Sequence, residues 1–478
     1  MPAAVAALTV LAAALRFGSL DVQSLWLDEA NTSLILQRDL GDVWDGILLE
    51  ASPPLYYYVA AVWAKLFGTG EVGLRSLSAL AGTALVPVAY LAARRLVDRR
   101  VALLATAFVA VAPVLVWYSQ EIRTYSLVVL FATLSLLFFA RTVDDPTRGN
   151  VAGFAAASIA ALLTHYFAVF LIAAEAAWLL ARDPRSRRIW IGIAPIAGVG
   201  LALVPLVLEQ IDNGGGAFVG RSGGLADRMT AIPATLIRGE SPSAFPAADE
   251  ITLLLALAAI ALVFLATTAP ERRRLIAPLA IGAAVALTPP AVAVVGPDTV
   301  VSRNFLMAWV PLAVCLAGGC LATRAGRWGV GIAAALLGCF IAIVLAVNVD
   351  PDLQRDDWRQ AVAMLGTGER ARLLVVDPAY NRLPLRYYRP SVQDLGSRSP
   401  QVSEIVRVHI ADRFHLDANR PELERVPLPG FRVSRVRRDG RITEVTFRSA
   451  EPAAASAAAV AEGSGTERLG VVLQPRGR

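Results

Sequence analysis

Apolar residues in this chain come in long unbroken runs. From the N-terminus to about residue 349, stretches of about 17 to 22 residues recur almost free of charge. A run of that length can cross a hydrocarbon core of about 30 Å as a helix. The pattern predicts about eleven spans, near 2–18, 74–93, 101–117, 124–141, 151–164, 166–181, 189–208, 251–268, 275–295, 304–322 and 328–348. The segment 54–67, "PLYYYVAAVWAKLF", is apolar but short, and is predicted to lie at the interface or re-enter. After residue 349 the pattern changes: "DDWRQAVAML" has amphipathic helical spacing, and "ARLLVVDP", "FRVSRV" and "ITEVTFRS" read as strands. The fold class expected is an all-α polytopic bundle over 1–349, with interfacial helices in its first long loop, followed by a small α/β domain over 350–450. Residues 451–478, rich in Ala, Ser and Gly, are expected to be a disordered tail.

Charge gives the bundle a direction. All but one of the 45 basic residues are arginine, Lys65 being the exception. Fifteen of these arginines fall in the connections "ARRLVDRR", "RTVDDPTR", "ARDPRSRR", "APERRR" and "ATRAGR". The positive-inside rule makes those loops cytoplasmic. The N-terminus is then cytoplasmic, its first apolar run a retained anchor. Residues 19–73, 117–123, 164–166, 209–250, 296–303 and everything after about 349 face outward. The expected location is the cell's inner or plasma membrane. Residues 19–73 carry eight acids against Arg38 and Lys65. Composition supports this class: 56% of the chain is hydrophobic and 18% charged, too little charge for a soluble protein of 478 residues. Cys315, Cys320 and Cys339 lie in apolar runs and read as small hydrophobes. There is no Walker A sequence, no GxGxxG after a strand and no zinc spacing. Nucleotide chemistry and a nucleic-acid partner are not expected.

Polar residues of unusual type gather on the expected outer side. "LWLDEANTSLI" places Asp28 and Glu29 after the first span. Asp28 can cap the following helix, with Glu29 favouring its dipole, or it can take a proton from a hydroxyl. "ASPPLYYYV" holds Ser52, Tyr56 and Tyr57, whose rings can anchor in the headgroups or pack along a lipid or sugar. "WYSQEIRTYS" sets Tyr118, Glu121 and Arg123 in or beside a very short turn, and "LLTHYFAVF" does the same for His165 and Tyr166. Charges so near hydrocarbon are paired or functional. Arg75, Arg221 and Arg303 lie at outer loops or span ends, where an arginine snorkels to headgroups or grips an anion with two N–H groups. His409 and His415 in the tail show no partner spacing.

Together, the acid pair, "SPPLYYYV", "YSQEIRTYSLVVL", "THYF" and "SRNF" resemble the C-type integral-membrane glycosyltransferases. The likeness is to family-39-like enzymes, related to protein O-mannosyltransferases and lipid A aminoarabinose transferase. It is strongest over residues 20–180. It implies an inverting transferase, with a hexose and first of all mannose as the sugar. The donor would be a polyprenyl-monophosphate sugar within membrane lipid, and the acceptor an extracytoplasmic molecule of protein, lipid or polysaccharide type. Asp28 matches the general-base aspartate, Glu29 its neighbour and Glu121 a second acidic position. Arg123, Arg221, Arg303 and Arg75 would serve the donor phosphate; Ser52, Tyr56, Tyr57, Tyr118, His165 and Tyr166 would line the substrate. Ser52 stands where many relatives carry Lys or His, which shifts the phosphate contact toward the arginines. Some members use a divalent cation, Mg²⁺ or Mn²⁺, which Asp28, Glu121 and His165 could hold. A flippase or transporter of polyprenyl-linked lipid or glycan is the alternative; it calls for ionisable groups in mid-span. A membrane scaffold presenting the tail domain is a third, and needs no convergence of acids and arginines.

The topology is directly testable. A reporter fused within "ARDPRSRR" should read as cytoplasmic, and one placed after residue 350 as extracytoplasmic. A cytoplasmic C-terminal reporter would separate the clusters and reject the arrangement.

Overall fold

The computed structural model describes residues 2–214, 224–241, 246–296, 298–368, 370–411, 421–465 and 469–475. The chain divides into two compact units. One joins Met1–Leu20 to Ile35–Val349; the other joins Asp21–Leu34 to Asp350–Arg478.

The first unit is helical, and every stretch read as a span is helix. Among the described residues seven segments are long and apolar enough to cross a membrane, and an eighth if Arg99–Val111 and Pro113–Ser119, bent by 51°, count as one. Ala3–Phe17, Arg148–Thr164 and Ala168–Arg182 are shorter, at 15, 17 and 15 residues. At 1.5 Å per residue these reach only about 22–26 Å. The structure thus establishes an integral membrane protein. Leu55–Phe67 has 13 residues, about 20 Å, too short for a span. Leu225–Arg238 is an additional helix inside the predicted loop 209–250, anchored where Trp309 Nε1 donates to the Leu236 carbonyl at 2.7 Å.

Burial sorts the helices by solvent. The apolar window of Ser302–Cys320 is 89% buried, so this segment is central. The windows of Arg187–Asp212, Ala248–Leu265, Ala269–Val295 and Gly326–Val349 are only 22% buried. Their exposed Leu201, Leu254, Leu265, Leu287 and Trp328 suit lipid contact. Close approach relies on glycine: a Cβ at Gly319 would stand 1.9 Å from the Ala259 carbonyl oxygen.

The connections meet in two groups, and the grouping matches the charge pattern. At one end Arg95 pairs with Asp144 at 3.6 Å, Arg274 with Asp98 at 4.0 Å, and Glu271 accepts from the Thr323 hydroxyl at 2.6 Å. At the other, hydrogen bonds link Gln210 to Ile47 and Ser52, and Glu240 to Tyr118 and Ser302.

The bend at Ala112 has a chemical consequence. Pro113 has no N–H, and the broken ladder frees carbonyls of the preceding turn. Arg16, fully buried, takes them: Nη1 donates to the Ala110 carbonyl at 2.8 Å and Nη2 to the Val109 carbonyl at 3.2 Å, while Nε donates to Ser119 Oγ at 3.2 Å. Gly82 leaves the room, since a Cβ there would lie 2.1 Å from Ser119 Oγ.

Among the described residues of the second unit six strands form one mixed sheet: β1 Arg372–Asp377, β2 Gln393–Asp394, β3 Gln401–Ile410, β4 Arg432–Asp439, β5 Ile442–Ala454 and β6 Gly470–Gln474. Their order is β2-β6-β1-β3-β5-β4, with β1 parallel to β3 and the other pairs antiparallel. Period-2 alternation gives each face its own core. Leu374, Val376, Val406 and Val408 pack with Trp358, Ala361 and Leu365 of helix Trp358–Leu365. Leu373, Val375, Ile405 and Phe447 pack with Leu395, Phe431 and Val460.

The expected disordered tail is corrected here. β5 runs on to Ala454, and Ser456 Oγ caps helix Ala457–Ser464 by accepting from Ala459 N at 3.1 Å. β6 then enters the sheet between β2 and β1. Val471 and Val472 are buried on opposite faces, a strand signal that the Ala/Ser/Gly bias of the segment hides.

Arg16→Met should cost about 3–5 kcal/mol, because it leaves buried carbonyls without donors. The check is thermal unfolding of purified Arg16→Met in detergent, with Arg16→Lys as a partial rescue. Wild-type melting of Arg16→Met would mean that the bend is satisfied by other groups.

Candidate active site

Five connections of the helical unit build one polar cluster. The turn 120–124 is held from both sides: Gln120 Nε2 donates to Ser19 Oγ at 2.7 Å and to the Leu15 carbonyl at 3.0 Å, and Ser126 Oγ donates to the Tyr118 carbonyl at 3.0 Å. Glu121 and Arg123 therefore project from a fixed backbone, 1% and 8% exposed. Arg123 Nη1 meets Glu50 Oε2 at 3.1 Å, both side chains buried. Tyr57 lies beside this pair. Burial first, then the Glu50 carboxylate, push its hydroxyl well above the usual range, with Arg123 acting in the opposite direction.

His165 ends helix Arg148–Thr164 and turns the chain into Ala168–Arg182. Phe167 N donates to its Nδ1 at 3.2 Å, which leaves the proton of the neutral ring on Nε2. Burial, then the positive charges of Arg123 and Arg303, lower its pKa to about 3. Arg123 and Arg303, distant in sequence, thus act on the same imidazole. A second junction lies beside it: Tyr118 Oη and Ser302 Oγ each donate to Glu240 Oε1 at 2.7 Å. The Tyr125 ring bridges them, 4.7 Å from Tyr118 and 5.9 Å from His165. On the far side Tyr166 Oη donates to Gln210 Oε1 at 2.8 Å. Gln210 Nε2 in turn donates to the carbonyls of Ile47 at 2.8 Å and Ser52 at 3.0 Å.

A half-open cleft of about 310 Å³ adjoins the Glu240 junction. Gln120, Arg238, Glu240 and Ser241 line its polar side; Val116, Trp117, Ile343 and Val344 line the apolar side.

The acid pair belongs to the other unit. Its helix runs Leu27–Leu36, and Ala30 N donates to the Trp26 carbonyl at 2.9 Å. Asp28 is consequently inside the first turn, where its charge favours the dipole, and Trp26 occupies the cap position. The two carboxylates have different surroundings: Glu29 is fully buried, and Asp28 half-buried.

Not all the sequence-predicted residues join the cluster. Arg123, Arg303, His165, Tyr118, Glu121 and Tyr57 are brought together, with Tyr166 and Ser52 tied in through Gln210. Tyr56 packs edge-on against Tyr57 at 5.6 Å and is buried; exposed Tyr58 is the ring suited to a headgroup belt. Arg75 is 1% exposed, and its Nη1 donates to the Leu20 carbonyl at 2.8 Å and pairs with Glu71 at 3.7 Å, a bracing role for the first helix. Arg221 lies outside the described residues. Glu50, Gln210 and Glu240 are not among the residues the sequence singles out, because only tertiary contact marks them. Among the described residues no group of three or more His, Cys, Asp or Glu side chains could hold a metal ion.

The His165 shift makes a pH prediction. Unfolded, this ring takes up a proton below about pH 6.5; folded, only near pH 3. Between those values the unfolded state binds more protons, so stability falls as pH drops, by up to about 1.4 kcal/mol per pH unit. His165→Gln should therefore lose melting temperature less steeply than wild type between pH 6.5 and 4. Parallel profiles would mean that the ring is already protonated or solvated.

Residues 51–208 match the family described as dolichyl-phosphate-mannose-protein mannosyltransferase. No curated protein sequence matches the chain. Among solved structures, ArnT from Cupriavidus metallidurans bound to undecaprenyl phosphate is 16% identical. It covers 92% of this chain and 97% of its own, with a TM-score of 0.57. The S. cerevisiae protein O-mannosyltransferase Pmt1-Pmt2 complex bound to the sugar donor is 19% identical over 44% of this chain and 33% of that one, with a TM-score of 0.35. The Archaeoglobus fulgidus oligosaccharyltransferase tethered with an acceptor peptide is 12% identical over 81% and 58%, with a TM-score of 0.46. The chain thus carries a family match over residues 51–208 and shares its fold with ArnT along nearly its whole length.

Proposed function

We propose that this protein is an inverting glycosyltransferase that moves a sugar, mannose first, from a polyprenyl-monophosphate donor to an extracytoplasmic acceptor. The observation that carries the reading is the meeting of the 120–124 turn, His165 and the Ser302–Arg303 segment through Tyr118, Tyr125 and Glu240, at the end of the helical unit where the expected outer connections meet. Buried Arg123 and half-buried Arg303 supply two guanidinium groups of the kind that suits a phosphate. The adjoining cleft is polar on one side and apolar on the other, the pairing that an amphipathic ligand presents.

The chemistry balances on these groups. An acceptor hydroxyl oxygen attacks the anomeric carbon from the face opposite the phosphate. Its proton passes to Asp28, and the bond from the anomeric carbon to the phosphate oxygen breaks. The carrier leaves as a phosphate monoester. Its charge rises from about −1 to −2 during the step, so arginine attraction is stronger in the transition state than in the ground state. Half-buried Asp28 is the better base of the pair, since a proton acceptor must be reached by the hydroxyl, and Glu29 is sealed. Glu121 remains the second acidic candidate beside the cluster. A divalent cation at Asp28, Glu121 and His165 is a separate proposal, carried by the family resemblance alone, and no step above runs through it.

One observation speaks for transport: Glu175, fully buried within helix Ala168–Arg182, accepts from Ser135 Oγ at 2.5 Å, and Ser135 meets Ser158 at 2.9 Å. It is an ionisable group away from the span ends, as the flippase reading requires. Label transfer to an acceptor separates the two, since transport moves the donor intact.

Membranes containing the protein should transfer radiolabel from one member of a panel of undecaprenyl-phosphate mannose, glucose and pentose into a protein, lipid or polysaccharide fraction. Asp28→Asn should lower transfer by about 10²- to 10⁴-fold with donor binding retained, and Glu29→Gln by less. Arg123→Ala, Arg303→Ala or Arg221→Ala, at the true phosphate ligand, should weaken donor binding by about 10- to 150-fold. Wild-type turnover in Asp28→Asn rejects the base; unchanged affinity in all three arginine variants rejects the phosphate grip.

A further inference from the structure

The segment that leads into the acid pair is held by residues far along the chain. Gln23, Ser24 and Leu25 are 4%, 3% and 0% exposed, and all three are bound by residues 355–388. Arg355 N donates to Gln23 Oε1 at 3.0 Å, and Arg359 Nη2 donates to the Gln23 carbonyl at 2.8 Å. Ser24 Oγ lies 3.0 Å from the Asp356 carbonyl and 3.1 Å from Asp357 Oδ1, one proton serving two acceptors. Leu25 N donates to the Tyr388 hydroxyl at 2.6 Å. A buried backbone outside helix and sheet must find its partners somewhere. Here they come from a region some 330 residues later in the chain.

The holders are themselves fixed. Asp357 Oδ1 also accepts from Gln360 N at 3.0 Å, capping Trp358–Leu365, whose Trp358, Ala361 and Leu365 are buried against the sheet. Arg441, in the turn between β4 and β5, donates to the carbonyls of Gln354 at 3.2 Å and Arg355 at 3.0 Å. Tyr388 closes the short helix Arg382–Tyr388, whose Leu385 is in the same core. A continuous path of hydrogen bonds and packing therefore runs from the sheet to Leu25, three residues before Asp28.

We infer that Tyr388 and Arg359 are positioning residues for the reaction: the C-terminal unit sets where the helix bearing Asp28 begins, and so where the carboxylate stands. The inference rests on the reading of Asp28 as general base. The domain is then part of the catalytic apparatus, although it supplies no group to the reacting atoms. Misplacement of such a carboxylate by about 1 Å can cost up to about 10²-fold in rate.

The test uses the full chain in lipid nanodiscs. The variants are Tyr388→Phe, Arg359→Met and Arg359→Lys, with exposed Arg438→Gln as control. Hydrogen–deuterium exchange is read on peptides covering 26–36, and kcat and KM on undecaprenyl-phosphate mannose or the panel member that wild type turns over. Tyr388→Phe and Arg359→Met should raise exchange at 26–36 several-fold, with the strands and helix Glu71–Leu96 unchanged. They should lower kcat by about 10- to 100-fold at similar KM. Arg359→Lys keeps a donor and should recover most of both. Unchanged exchange at 26–36 overturns the inference, and so does raised exchange with wild-type kcat. A loss carried by KM alone overturns it too, since that is a donor-binding effect. The two readings fail separately: an active Asp28→Asn removes the base assignment, whereas a dead Asp28→Asn beside fully active Tyr388→Phe and Arg359→Met removes only the positioning role.

Discussion

Hydrocarbon offers no hydrogen bonds, so a helix broken within a membrane protein must be repaired from inside. The break at Ala112–Pro113 frees the carbonyls of Val109 and Ala110, and Arg16 is the donor that meets them. A leucine at position 16 would suit the apolar run of the first helix better by hydropathy, yet would leave the bend unsatisfied. The repair also fixes the turn beyond the bend. Arg16 Nε reaches Ser119, and Gln120 bonds back to Leu15 and Ser19, so the end of the first helix and the turn 120–124 form one hydrogen-bonded piece. Glu121 and Arg123 project from that piece. The electrostatics of the cluster therefore descend from a backbone problem in the bundle.

Within the cluster, charge is met by charge or by hydroxyl donors at two places. Arg123 sets its charge against Glu50, and Glu240 collects two hydroxyl donors. Placing a histidine near two guanidinium groups is tolerable only if the ring stays neutral, which burial and those charges enforce together. A neutral imidazole there preserves the positive potential of the arginines toward any anion and adds an N–H donor of its own. Protonation would instead raise the repulsion among three cations in a medium that screens poorly.

Legibility in the sequence depends on whether the signal is local. Span positions and the two-sided arginine pattern are properties of windows along the chain, and the helices and the end-to-end grouping of their loops agree with them. "THYF", "SRNF" and the turn "SQEIR" stand out because charge so near apolar runs is rare. Gln210, Glu50 and Glu240 have no such mark: their roles exist only once residues 47–52, 118, 166 and 302 are brought beside them. Arg16 looks like an ordinary basic residue at a span end. The strands "QVSEIVRVHI" and "GVVLQ" are absent from the sequence-based expectation, although the first carries apolar residues at alternate positions and the second is masked by the small residues before it. Asp28 can be read as a cap because Asp before an apolar run is a standard start signal, whereas the helix already begins at Leu27 and Asp28 lies inside it.

The placement of the acid pair departs most from chain order. Residues 21–34 lie between the first helix and the rest of the bundle in sequence, yet they fold with residues 350–478. An ionised carboxylate mounted on lipid-facing helices would face a large desolvation cost, and its position would shift as those helices adjust to the bilayer. One whose helix starts from a segment bonded to residues 355–388 has a fixed origin instead. The guanidinium groups of Arg123 and Arg303 have the opposite need, because the grip on an anion proposed for them strengthens as water is excluded. The proposed reaction thus makes two different demands on dielectric environment, one at the base and one at the phosphate.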